Sequence, residues 1–153
     1  PVFGATADLT SYREYADVAI VAMGNNRLRE ELHGRLTVAG FELATVVHPK
    51  AVVSPRAVIG AGCAIMAGAI VGTEAQLGAG VIVNCGAVVD HDCRVDDFGH
   101  LGVNAAMSGG SVLGRGAWMQ AGSVLGYGAV VDAWRVLGSG EAVNKSINRN
   151  GIK

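Results

Sequence analysis

The chain has 153 residues, enough for one modest domain with an appendage. Only 16% of them are charged and the net charge is −1, so the composition offers neither a basic surface for nucleic acid nor an acidic solvating tail. The longest strongly apolar stretch, residues 18–23, is far shorter than a membrane span, and no signal-peptide pattern is present. The first residue is Pro rather than Met, which reads as a fragment or a processed product.

Residues 12–15 suggest a short helical turn. Residues 17–23 (DVAIVAM) predict a buried strand, and Gly24-Asn25-Asn26 supplies a turn and a helix cap. The following RLREELHGRLTVAG carries Leu28, Leu32 and Leu36 at four-residue spacing, which predicts a helix closed by Gly40. Residues 41–47 (FELATVV) predict a second strand. One βαβ unit cannot bury both faces of its sheet. Residues 1–46 therefore read as the back half of a small nucleotide-binding-type domain whose front strand and Gly-rich turn lie outside the chain. Gly24, Asn25 and Asn26, at a strand's end and a helix's start, are candidates to meet a phosphate or a sugar hydroxyl, although an ordinary connection uses the same residues.

From residue 47 to residue 143, every sixth residue is Val, Ile, Leu or Met. A helix would repeat near 3.6 and a half-buried strand at two. A period of six fits short parallel strands that turn a corner every six residues, three to a coil, which is a parallel β-helix. Two residues before these guide positions stands a small side chain, from Ala51 and Ala57 through Cys93 and Gly99 to Ala129, with Val81 as the exception. Small groups suit the inside of a narrow prism. The residue after each guide is often Gly, Asn or Asp, and that is where the turn, with its positive φ, is expected. The small slot fails at Arg135 and Glu141, so the regular cylinder is expected to end near Ala133. That leaves about five coils and a column roughly 24 Å tall at ~4.8 Å per layer. The divisions are 1–46, 47–137 and a tail, 138–153.

Cys63 and Cys93 fall in the small interior slot and read as core residues, while Cys85 reads as a surface residue. With no C-x-x-C pair, neither a disulfide framework nor a structural zinc site is expected, and the cytoplasm is the default location.

The densest polar cluster of the repeat is Asp90-His91-Asp92, followed by Asp96, Asp97 and His100. Neither histidine occupies a core slot. One coil is eighteen residues, so Gly109 lies directly over His91, and Gly110 follows it. A histidine base beside open backbone donors is a kit for acyl transfer, one group taking a proton and the other steadying an oxyanion. His91 and His100 are half a coil apart and so sit on opposite sides of one prism. A site that uses both lies between subunits, which predicts an oligomer. The same spacing prevents three ligands from converging within one chain, so no catalytic metal is expected. His33 and His48 read as structural. Trp118, Tyr127 and Trp134 are candidates to line a cofactor groove or to cover outer corners.

The repeat resembles the hexapeptide-repeat acyltransferases, and NCGAVVDHDCRVDDFGHLG is the most specific part of a likeness that spans about residues 17–131. Within that group the chain is similar to bacterial acetyltransferases of surface-glycan synthesis that act on nucleotide-linked 4-amino-6-deoxy sugars, and to sialic-acid O-acetyltransferase relatives. The resemblance implies a mainly β chain, a left-handed parallel β-helix after a partial α/β unit, working as a homotrimer with acetyl-CoA as co-substrate. It implies that His91 is the general base, Asp92 the carboxylate that orients it, His100 the second active-site histidine and Gly109 the backbone donor to the thioester carbonyl. It also implies that the unit before the β-helix holds a nucleotide sugar. The usual G-N-P-A-like ending is replaced by EAVNKSINRNGIK, where Lys145 or Arg149 is placed to meet a CoA phosphate. Two alternatives stay open, transfer to a sugar hydroxyl and a non-catalytic β-helix scaffold.

Overall fold

The computed structural model describes residues 4–145. A 3-10 helix, Thr6–Glu14, begins earlier than the expected turn and leaves Tyr15 at its end. Of the strand expected over residues 17–23, only β1 (Val18–Ala19) pairs, in parallel with β2 (Glu42–Leu43). The rest of that segment passes over the coil and lines a cavity with Val46, Ala64 and Ile82.

Between the two strands runs α1 (Asn26–Val38). Asn25 caps it, its Oδ1 accepting the Leu28 N–H at 3.0 Å. Gly40, at φ 84°, ends it: the Phe41 N–H reaches the Leu36 carbonyl and the Gly40 N–H that of Thr37, both at 3.0 Å. Phe41 and Leu36 are both buried, which supplies the apolar contact that goes with this ending. The expected Leu stripe is displaced by one position. Arg29, Leu32 and Leu36 are the buried residues of α1, and Leu28 is 37% exposed.

The coil consists of two-residue strands at six-residue intervals, from β3 (Val46–Val47) to β19 (Ala142–Val143). They form three parallel sheets of six, six and five strands. The register is constant at eighteen residues: Val46 faces Ala64 near the base, and Val124 faces Ala142 at the top. The first face holds β3 and every third strand after it, including β12 (His100–Leu101) and β15 (Trp118–Met119). The second runs from β4 (Val52–Val53) through β10 (Val88–Val89) to β19. The third runs from β5 (Val58–Ile59) to β17 (Val130–Val131).

The second residue of each strand points inward. From Ile65 to Leu137 these guide residues are at most 3% exposed, and the small residues that precede the strands, such as Cys63, Ala87 and Ala117, fill the space between them. Cys93 belongs to this core, where its Sγ lies 3.2 Å from the Ser108 carbonyl, and all three cysteines are free.

Two features differ from the sequence reading. Positive φ falls three residues after the guide rather than one, as at Gly62, Gly80, Phe98, Gly116 and Trp134, which stack at one corner. The glycines just after the guides serve close approach instead: a β-carbon on Gly72 would sit 2.8 Å from the backbone of Asp90 and His91 in the next coil. Nor does the coil end near Ala133. β18 (Val136–Leu137) pairs with β15, and β19 pairs with β16 (Val124–Leu125). Among the described residues no coil lies above this last one, so Arg135 and Glu141 turn outward and pair with each other at 3.0 Å.

Candidate active site

His91 follows β10 at the corner between the second and third faces and is about half exposed. The Asp90 carboxylate accepts the His91 backbone N–H at 2.7 Å, and Asp92 Oδ2 lies 2.7 Å from the ring Nδ1. A carboxylate can only accept, so Nδ1 carries the proton and Nε2 is left with a free lone pair. The hydrogen bond to Asp92 raises the pKa of His91, and the charge of Asp90 adds to it. Asp92 holds the left-handed corner conformation, at φ 57°.

Gly109 stacks on the ring as the eighteen-residue coil requires. A β-carbon there would come within 2.5 Å of His91 Cε1 and Nε2. The Gly109 N–H makes no hydrogen bond among the described residues, whereas that of Gly110 is engaged by the His91 carbonyl at 3.0 Å. The glycine pair therefore leaves one open donor, not two, because the coil-to-coil bond at the corner consumes the second.

His100 is the outward residue of β12 on the first face, away from His91, so one chain does not bring the two histidines together. It is nevertheless only 7% exposed, because the α/β unit covers it. Its ring stacks on Trp118 at 5.6 Å, and it shares a cavity of about 470 Å³ with Gly24, Asn25, Asn26, Trp118 and Trp134. Neither ring nitrogen finds a hydrogen-bond partner of normal geometry, nor do Trp118 Nε1 and Asn26 Oδ1. Burial, helped by the charge of Arg29, lowers the pKa of His100 to about 4, with the nearby Gly24 backbone acting weakly in the other direction. Buried, unpaired polar atoms clustered around one cavity are available to the polar groups of a ligand or to ordered water.

Of the three residues expected at the start of α1, Asn25 spends its side chain on the cap and Asn26 donates its amide to the Gly116 carbonyl at 2.9 Å. Asn26 Oδ1 is left without a partner, and Gly24, whose carbonyl accepts from Arg29 at 3.4 Å, lines the cavity beside it. His48 accepts the Lys50 N–H at 3.1 Å, and His33 packs edge-on to Phe98, both structural positions. Tyr127 is exposed, whereas Trp134 packs beneath the guanidinium of Arg27. Arg149 lies outside the described residues.

The sequence reading missed Arg29 and Arg27. Arg29 was detectable, since it stands at helical spacing from Leu32 and Leu36. Among the described residues no group of three or more His, Cys, Asp or Glu converges as metal ligands would, and no helix is long and apolar enough to cross a membrane.

No family model matches the chain. The curated UDP-N-acetylbacillosamine N-acetyltransferase of Bacillus subtilis is 46% identical over 48 residues, which is 31% of this chain and 22% of that protein. Among solved structures, a His-to-Ala variant of GDP-perosamine N-acetyltransferase from Caulobacter crescentus, in complex with CoA and GDP-perosamine, matches with a TM-score of 0.92 and 38% identity, over 94% of this chain and 69% of that one. The acetyltransferase domain of PglB from Neisseria gonorrhoeae, in complex with acetyl coenzyme A, matches with a TM-score of 0.89 and 36% identity, over 94% of this chain and 72% of that one.

Proposed function

This chain belongs to the hexapeptide-repeat, left-handed β-helix N-acetyltransferases of nucleotide-linked amino sugars, and we propose that it moves an acetyl group from acetyl-CoA to the amino group of a nucleotide-linked amino-deoxy sugar. The observation that carries this reading is the His91–Asp92 pair beneath Gly109, a base with its lone pair on Nε2 beside an open N–H donor.

In this reading transfer is direct. The acceptor nitrogen attacks the thioester carbonyl and a C–N bond forms while His91 Nε2 takes the proton from that nitrogen. The C–S bond then breaks, and the leaving thiolate of CoA is protonated by the imidazolium. Asp92 keeps the ring in the required tautomer throughout, and the Gly109 N–H faces the carbonyl oxygen as its charge grows. General-base help is worth about 10²–10⁴-fold and an oxyanion donor about 10²–10³-fold.

The active assembly is a homotrimer, with residues 1–46 holding the nucleotide sugar and the coil supplying the chemistry. Support comes from the second face, whose outward column of Val52, Ile70, Val88, Ala106 and Val124 carries no charge and leaves Val52 65% exposed. One chain holds His91 and His100 on different sides of the coil, so a site that uses both takes its His100 from a neighbouring copy. Three free thiols suit a reducing cytoplasm.

The test is release of free CoA from acetyl-CoA with a panel of nucleotide-linked 4-amino-6-deoxy sugars and of sialic acids, run beside His91→Ala. Release that depends on an amino sugar and collapses in the variant supports the proposal. Release with hydroxyl acceptors alone makes the chain an O-acetyltransferase; if no acceptor gives release, binding of acetyl-CoA by the same chain keeps the enzyme reading and its absence favours the scaffold.

A further inference from the structure

Arg29 is 1% exposed. Its guanidinium meets no carboxylate among the described residues, and every one of its hydrogen bonds ends on a backbone carbonyl. Nε donates to Gly80 at 2.8 Å and Nη2 to Phe98 at 2.7 Å. Nη1 donates to Met23 at 3.0 Å and to Gly24 at 3.4 Å. Two of these carbonyls belong to coil corners eighteen residues apart, and the other two to the loop that leads into α1. Phe98 stands two residues before His100.

These bonds belong to a longer pattern. α1 runs along the corner column of left-handed residues: His33 packs over Gly62, Arg29 takes Gly80 and Phe98, and Asn26 takes Gly116. Arg27 lies over the ring of Trp134 at the next level, 4.2 Å from its centroid. A Leu at position 29 would serve the apolar face shared by Leu32 and Leu36 without desolvating a charge. A guanidinium there supplies something else, a planar fork whose donors point in set directions. It ties a loop to two layers of coil at once, and burial lowers its pKa only to about 10, so it remains charged at neutral pH.

We propose that Arg29 is a positioning residue, whose guanidinium holds the residue 23–26 loop at a set distance from the coil corner before His100 and so sets how the acceptor enters the site. This rests on the reading above, that the loop meets the nucleotide sugar.

The test compares the full chain with Arg29→Lys and Arg29→Met. Misplacement of about 1 Å at a reacting centre costs about 10²-fold. In Arg29→Met, kcat/KM for the nucleotide sugar should fall by about that factor while the KM for acetyl-CoA stays unchanged. Arg29→Lys, which keeps the charge but not the fork, should regain part of the loss and covers the case in which the Met variant folds poorly. Amide exchange gives a readout that does not need turnover: the N–H groups of residues 28 and 29, both bonded to Asn25, should lose protection while the coil keeps its own. Equal losses for both substrates, or unchanged exchange at residues 28 and 29, would overturn the proposal. If the wild-type chain turns over no acceptor, the proposed function fails, and the exchange measurement still decides the role of Arg29.

Discussion

The imidazole of His91 lies against the α-carbon of Gly109 one coil above, so closely that a β-carbon there would come within 2.5 Å of Cε1 and Nε2. The residue over the base must be glycine for the ring to stay where it is. Gly109→Ala should therefore push the ring off its position and lower turnover by about 10²–10⁴-fold, the usual worth of a general base. Turnover is read as CoA release, with the thermal midpoint as a check on folding. Unchanged activity would mean that the chemistry does not run at His91.

The pH profile tests the partner of the base. Hydrogen bonding to Asp92, together with the Asp90 charge, raises the His91 pKa, and a base works only when neutral. Activity should thus fall as pH drops through a value above the ordinary 6.5 or so of histidine. Asp92→Asn removes the main cause of the shift, so the acidic limb of kcat/KM should move to lower pH even as the maximum rate falls. A limb that stays in place would remove Asp92 from the mechanism.

His100 should make the fold acid-sensitive. Its pKa is near 4 when folded and about 6.5 when unfolded. Between those values the unfolded chain binds more protons, so stability is present above about pH 6.5 and is lost as pH falls toward 4. The full loss is about 3 kcal/mol at 1.36 kcal/mol per unit. Denaturant midpoints at pH 7 and pH 4.5 for wild type and His100→Gln measure it. The variant should lose less, and an equal loss in both would show that His100 is not held neutral.

The interior should respond to volume in both directions. Leu113 is fully buried, so Leu113→Ala should cost about 2–5 kcal/mol through its cavity. Ala117 fills a small slot with no spare room, and Ala117→Leu should cost about 1–3 kcal/mol through overpacking. Equilibrium unfolding in urea checks both, and a neutral Ala117→Leu would show the prism to be looser than its burial implies.

The apolar second face should be where copies meet. Val124→Asp places a charge on this apolar column between Ala106 and Ala142, outside the interior, and should convert trimer to monomer in sedimentation experiments without unfolding the coil. A trimer that survives this change is assembled through another surface.

The coil was legible in the chain because its contacts repeat at a fixed separation. Once the period is six and the coil eighteen, the stacking of residue 109 on residue 91 follows from counting, as does the interior place of Cys63, Cys93 and Ala117. The βαβ unit was legible for another reason, since its cap at Asn25 and its ending at Gly40 are local chemistry. Turn preference alone misled, because both positions of the corner favour glycine for different reasons: one needs a positive φ, the other close approach to the coil above.

Short-range chemistry and the repeat were thus enough for the coil's register, its inward residues and the His91–Asp92–Gly109 stack, though not for where the coil ends. The docking of α1 was visible only in the folded chain. That docking buries Arg29 on four carbonyls, covers His100 with no partner of normal hydrogen-bond geometry, and puts Asn26 beside Trp118. No period links residue 29 to residues 80 and 98. Their meeting depends on how a helix lies across a row of outward-facing carbonyls, and that angle comes from packing over the whole first face.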